Sequence, residues 1–141
     1  MKRIAAIDFG HKRIGIALSD AQQKLALPWK SAEGGRRAVE NVMALLLPMK
    51  EELERILVGY PLLLSGKVGE MAKETELFAK KLEAALSLPV ELCDERLSSR
   101  QAERELQSLS FSRKERKGKV DMSAAALFLQ SYLDKKNSAL Y

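Results

Sequence analysis

The spacing of apolar residues changes period along the chain, and each period predicts an element. Residues 3–8 (Arg-Ile-Ala-Ala-Ile-Asp) form a short, nearly continuous apolar run, the pattern of a strand buried on both faces. Residues 13–19 alternate Ile14, Ile16 and Leu18 with Gly15, Ala17 and Ser19, and the polar link through Gly10, His11 and Lys12 predicts a hairpin between the two. A third strand is expected at about residues 24–30, before the break at Gly34-Gly35. The period then lengthens. Val39, Val42, Met43 and Leu46 fall at i, i+3, i+4 and i+7, one face of a helix that Pro48 ends or kinks. A buried strand follows at 55–60, then a loop at 61–69 containing Pro61, Ser65, Gly66 and Gly69.

The second half repeats the alternation. A helix is predicted over 70–86, with Met71, Thr75, Phe78, Leu82 and Ala85 on one stripe, and a strand over 89–93. Ser98 with Gln101 three residues later matches a capping box for a further helix carrying Ala102, Leu106 and Leu109. Residues 111–119 read as a polar loop. A last helix is expected over about 121–135, with Met122, Ala126, Leu129 and Leu133 on one stripe and Ala125, Phe128 and Tyr132 on another. The order β-β-β-α-β-α-β-α-α predicts an α/β fold. Strands joined through helices must be parallel, so 3–8, 55–60 and 89–93 should place their carboxyl ends on one edge, where open α/β sheets bind ligands.

Composition narrows the class. A chain of 141 residues with 46% hydrophobic and 30% charged residues suits one globular domain, residues 1–141. One cysteine, Cys93, permits no internal disulfide and fits a reducing cytoplasm; with the single histidine, His11, it also excludes a zinc site built from those two residue types. Cys93 itself reads as inert and His11 as a turn residue. The opening Met1-Lys2-Arg3-Ile4 is interrupted by Asp8 too soon for a signal peptide, and the most apolar stretch, Ile56 to Leu64, is too short to span a bilayer. No membrane partner is expected. The net charge of +5 favours polyanions only weakly, but its distribution adds weight: Phe111 to Lys119 holds Arg113, Lys114, Arg116, Lys117 and Lys119 against one acid, Glu115.

Four acids are candidates for chemistry. Asp8 ends the first buried strand, where a charge is costly unless partnered. Asp94 and Glu95 follow the strand at 89–93 and so belong to the same predicted edge. Asp121 opens the last helix on the stripe of Ala125, Phe128 and Tyr132. Such an oxygen-rich site suits Mg2+ or Mn2+, and two such ions can serve phosphodiester hydrolysis beside a basic surface that holds the backbone. Plainer roles compete: Asp121 as a helix N-cap, Asp94 and Glu95 as partners of Arg96 or Arg100, and the basic run as a solvated loop. Asp8-Phe9-Gly10 with Gly15 also has the D-x-G-x-x-x-x-G form of phosphate-cradling hairpins in actin-like and sugar-kinase ATPases, but those enzymes need two copies of the unit and this chain has room for one.

The run Asp8-Phe9-Gly10-His11-Lys12-Arg13-Ile14-Gly15-Ile16-Ala17-Leu18-Ser19-Asp20 resembles the opening motif of the YqgF/RuvX family. Val58-Gly59-Tyr60-Pro61-Leu62 with Gly66, then Asp94-Glu95-Arg96-Leu97-Ser98-Ser99, then Asp121 with Ala124, Ala125, Leu129, Gln130 and Leu133 agree in order, covering nearly the whole chain. The resemblance implies a ribonuclease H-like fold with a central mixed five-stranded sheet flanked by helices. It also implies a bacterial, cytoplasmic hydrolase: a nuclease trimming the 5′ end of precursor 16S ribosomal RNA in ribosome biogenesis. An older family label is Holliday-junction resolvase, which would make branched DNA the partner. Carried over by motif, the catalytic and metal-binding acids are Asp8, Glu95 and Asp121, with Asp94 as a further metal ligand. Arg13, Arg96, Arg113, Lys114, Arg116, Lys117 and Lys119 would hold phosphates. RuvC-type resolvases place an acid after the strand matching 55–58, where this chain has Gly59-Tyr60-Pro61; at Leu63 and Ser65 the family loop usually carries polar residues. A non-catalytic RNA-binding assembly factor on the same fold is the remaining alternative.

Overall fold

Alternation within one strand builds two cores. Ala5 and Ile7 of the first strand pack into a cluster on one side of the sheet, while Ile4 and Ala6 pack into a second on the other. This double burial is why residues 3–8 carry no polar residue between Ile4 and Ile7. The computed structural model describes residues 2–60, 69–94 and 113–138, with the side chains of 113–123 excepted. Its strands are β1 (Arg3–Asp8), β2 (Arg13–Ser19), β3 (Ala26–Glu33), β4 (Leu53–Tyr60) and β5 (Val90–Asp94). Its helices are α1 (Ala38–Leu46), α2 (Glu70–Leu86) and α3 (Arg113–Ser138). The helix expected to open at the Ser98–Gln101 capping box, with its Ala102, Leu106 and Leu109, and most of the 61–69 loop lie outside the described residues.

The sheet order is β3-β2-β1-β4-β5. β1 and β2 form the predicted antiparallel hairpin, β2 pairs antiparallel with β3, and β1, β4 and β5 run parallel. The carboxyl ends of the three parallel strands therefore share one edge. On the first face, Val42 and Leu46 of α1 and Phe78, Leu82 and Leu86 of α2 cover Ile7, Ile16, Ile56 and Val58. On the second, Ala125, Phe128, Leu129 and Leu133 of α3 cover Ile4, Ala6, Ala17 and Leu57. Among the described residues no helix is long and apolar enough to cross a membrane.

Several details differ from expectation; among them β4 begins two residues earlier, at Leu53, and β5 is shifted by one residue to Val90–Asp94. β3 runs on to Glu33 because Glu33 pairs with Arg13 at the start of β2, and the turn begins only at Gly34. The buried stripe of α2 comprises Ala72, Thr75, Phe78, Ala79, Leu82 and Leu86, so Ala85 is exposed and Leu86 takes its place. The basic stretch expected as a loop is helical from Arg113. Its Lys, Arg and Glu residues are good helix formers, and only Gly118 weakens the run. At Pro48 the α-helix has already given way to a 3-10 segment, Leu47–Glu52, as proline requires.

The β2–β3 turn is closed by Asp20, whose Oδ1 accepts the amides of Lys24 (2.7 Å) and Leu25 (3.0 Å). These bonds, that of Leu25 first, hold the Asp20 carboxyl below its ordinary value of 3.8. A carboxyl lowered by folding contributes stability that is complete above that ordinary value and lost as pH falls through the lowered one. We expect the thermal midpoint to fall on acidification below about pH 4, with a shallower fall in Asp20→Asn, measured by calorimetry across the acid range.

Candidate active site at the carboxyl edge of the sheet

Asp8 is the last residue of the central strand β1 and is half-buried. It lies opposite Gly15 in the hairpin, and the absent side chain there leaves a cleft of about 270 Å³ lined by Asp8, Lys12, Arg13 and Gly15. A carboxylate thus faces a space bordered by two cations. Asp8 shares the face of Ile4 and Ala6, the side covered by α3.

The turn between Asp8 and Arg13 is braced from β3. Gly34 N donates to Lys12 O (3.0 Å), and a Cβ at Gly34 would stand 2.5 Å from the carbonyl oxygens of both Gly10 and His11. Gly10 is equally confined, with a Cβ there 2.5 Å from Arg13 O. His11, expected as an unpartnered turn residue, instead pairs through Nε2 with Glu74 of α2, which ties the turn to the helix on the opposite face from α3. Their separation of 63 residues hides that pair from any local reading.

Strand alternation gives the face of one further candidate acid, Asp94. Asp94 ends β5 and pairs in register with Tyr60, whose hydroxyl donates to Glu76 of α2 at 2.6 Å. That bond raises the Tyr60 phenol above its ordinary value. Val90 likewise packs with the α2 side, and Asp94 has the same parity, whereas Cys93 packs toward α3. Asp94 therefore sits on the face away from Asp8. Glu95 and Arg96 lie outside the described residues.

α3 runs antiparallel to β1. Gln130 Oε1 accepts Ala26 N and its Nε2 donates to Lys24 O, both at 2.9 Å. Nearer the end, Asn137 donates to Gln23 O at 3.2 Å, and Gln23 in turn donates to Lys2 O at 2.8 Å. Residue 137 is thus level with the start of β1. β1 advances ~20 Å from there to Asp8, which a helix covers in roughly 13 residues. The helix backbone is accordingly level with Asp8 near residue 124, and Asp121 lies about one turn further out. Asp121 lies eight residues inside α3, one turn before the buried Ala125, so it does not cap the helix. Arg113, Lys114, Arg116, Lys117 and Lys119 occupy the helical turns beyond it. Among the described residues no three His, Cys, Asp or Glu side chains cluster as a metal site; of the expected acids, Asp8 is the one on this face whose side chain is described.

The mixed sheet, its order, the helices on both faces and the acid at the end of the central strand define a ribonuclease H-like domain. The fold is shared with Thermus thermophilus RuvC in complex with a Holliday junction substrate, at a TM-score of 0.52 and 15% identity over 91% of this chain and 92% of that one. The chain belongs to the RuvX family, whose description is Holliday junction resolvase and whose match spans residues 2–135. Relatives named "Putative pre-16S rRNA nuclease" include that of Protochlamydia amoebophila, 38% identical over 95% of this chain and 94% of its own. Another, from Syntrophomonas wolfei, is 42% identical, covering 94% of each.

Proposed function

We propose that this chain is a divalent-metal-dependent endonuclease that cuts phosphodiester bonds in structured RNA, with precursor 16S ribosomal RNA, matured at its 5′ end, as its substrate. The observation that carries the reading is Asp8: a half-buried carboxylate at the carboxyl end of the central strand, in a cleft edged by Lys12 and Arg13. The relatives' name supplies the substrate class.

Asp8 suits a hard cation, since its oxygens are the donor type that Mg2+ and Mn2+ take. Glu95 and Asp121 complete the set we propose. The parity of β5 favours Glu95 over Asp94, whose carboxylate belongs to the other face. Asp121 is supported by the run of α3 toward the Asp8 edge. Two bound ions would activate a water and stabilise the leaving oxygen. The chain's own residues bind and orient the RNA: Arg13, with Lys12 beside it, neutralises the phosphate entering the cleft, and Arg96 with the bases at 113–119 extends the backbone track. No side-chain nucleophile is required. With such a substrate, the protein we propose would act in the cytoplasm, on the maturing ribosomal subunit.

The test is cleavage of end-labelled precursor ribosomal RNA, free and in assembling subunits, in Mg2+, Mn2+ and chelator, with four-way junction DNA alongside. Metal-dependent cutting of RNA is expected, and none in chelator. Cutting of the junction alone, or RNA binding without cutting in any metal, overturns the reading.

A further inference from the structure

The register of the sheet sets three residues in one line across the strands. Asp8 of β1 pairs with Gly15 of β2, and Gly15 pairs with Ser31 of β3. All three belong to the α3 side. Ala6 and Ala17, two residues from Asp8 and Gly15, pack into the second core cluster, while Ala32, next to Ser31, packs against the first and so turns Ser31 the other way. The line lies just beyond the covered part of the sheet: Ala17 is buried, whereas Gly15 is half-buried and Ser31 exposed.

Gly15 makes this line a groove. It puts no side chain between the carboxylate on one strand and the hydroxyl on the other, and two clefts meet over it. Arg13 and Gly15 border the cleft at Asp8, and the same two residues, with Pro28 and Ser31, form the α3 side of a larger cleft of about 340 Å³. Arg13, two residues before Gly15, stands at the outer end, and Pro28, opposite Ala17, closes the inner end. The Trp29 ring packs against the first core cluster, on the opposite face, and takes no part. By strand spacing Ser31 stands roughly 9–10 Å from Asp8, backbone to backbone. That distance leaves room for a phosphate at Asp8 and the adjoining ribose at Ser31.

The two ends of the groove differ in chemistry. Arg13 supplies a guanidinium for phosphate, but Ser31 offers a neutral hydroxyl that both donates and accepts. Among the described residues that hydroxyl has no partner, whereas the hydroxyl of Ser19 on β2 accepts Ile4 N and donates to Asp20 O. A ribose 2′-hydroxyl is likewise donor and acceptor, and it is the group that separates RNA from DNA at a given site. We propose that Ser31 hydrogen-bonds the 2′-hydroxyl of a nucleotide adjoining the scissile phosphate, with Arg13 on the phosphate beside it, so that the line Asp8–Gly15–Ser31 selects RNA over DNA. The proposal rests on the nuclease reading above and deepens it by naming the residue that reads the sugar. Gly15 lets the sugar-phosphate backbone lie against the sheet.

The experiment measures binding in Mg2+ by the full chain carrying Asp8→Asn, which keeps RNA intact. The probes are a labelled RNA oligonucleotide spanning the 5′ processing segment of precursor 16S ribosomal RNA, and copies of it each holding one 2′-deoxy nucleotide. Anisotropy should show one deoxy position, next to the cut, that weakens binding roughly 2- to 10-fold, the effect of losing one neutral hydrogen bond. Adding Ser31→Ala should weaken binding of the all-RNA strand by the same factor and leave that deoxy strand unchanged. Ser31→Thr, which keeps a hydroxyl, should stay near the parent. Ser31 is exposed, so both variants should melt with the parent. Equal loss on RNA and deoxy strands, no loss on any strand, no sensitive deoxy position, or no binding of the oligonucleotide overturns the proposal. Failure of the nuclease reading shows elsewhere, as wild-type protein that leaves precursor RNA uncut in metal.

Discussion

Asp8→Asn should lower the rate of metal-dependent RNA cleavage by about 10³-fold or more while leaving the fold intact. The substitution keeps the shape of the side chain and removes the charge. Metal ions stabilise transition-state charge by several kcal/mol, and each 1.36 kcal/mol is a factor of about ten in rate. Loss of the one described acid facing the cleft at the end of β1 should therefore remove most of that contribution. The core beneath it, Ile4 to Ile7, is untouched, and Asp8 itself is only half-buried. We expect the thermal midpoint to stay within a few degrees, which circular dichroism would follow. Cleavage within tenfold of wild type in saturating Mg2+ would remove Asp8 from the site.

The second large effect is expected at a position with no chemistry of its own. In Gly34→Ala the new Cβ would meet the carbonyl oxygens of Gly10 and His11 at 2.5 Å, and both are backbone atoms that cannot rotate aside. The turn that follows Asp8 must shift. Overpacking of this kind costs about 1–3 kcal/mol, and displacement of a reacting group by about 1 Å can cost 10²-fold in rate. We expect both a lower melting temperature and cleavage reduced by roughly 10- to 100-fold. Gly35→Ala is the internal comparison. Gly35 has φ +89 but open space around it, so alanine there carries backbone strain without touching the Asp8 turn, and cleavage should persist. Equal melting and cleavage of Gly34→Ala and wild type would show that the turn does not depend on this contact.

What the sequence makes legible follows from where each residue's energy is decided. β1 and α2 were readable at their observed bounds because burial imposes a period on them, every residue for a two-faced strand and every third or fourth for a one-faced helix. The parallel set β1, β4 and β5 followed from the helices between them, and with it the shared edge carrying Asp8. The first turns of α3 were hidden because Arg113 to Lys119 show no apolar stripe, and helix propensity alone does not distinguish such a run from a solvated loop. β3 was blurred because an edge strand with mostly exposed positions has no hydrophobic alternation to read. The face on which Asp94 sits needed the parity of β5, which depends on a register that no local pattern encodes. Gly34 was legible as a break in the chain but not as the wall behind Gly10 and His11, since that contact spans the hairpin.

The second core has a consequence for how the chain is made. Ile4, Ala6, Ala17 and Leu57 leave the ribosome early, yet the side chains that cover them, Phe128, Leu129 and Leu133, come more than sixty residues after Leu57. Synthesis at about 5–20 residues per second leaves that apolar face open for several seconds. During this time the hairpin and α1 can already close the other face, because their contacts are local. The protein therefore emerges with half a sandwich and a sticky sheet surface. Its completion waits on α3, whose docking both seals the core and brings the basic turns to the edge where Asp8 stands.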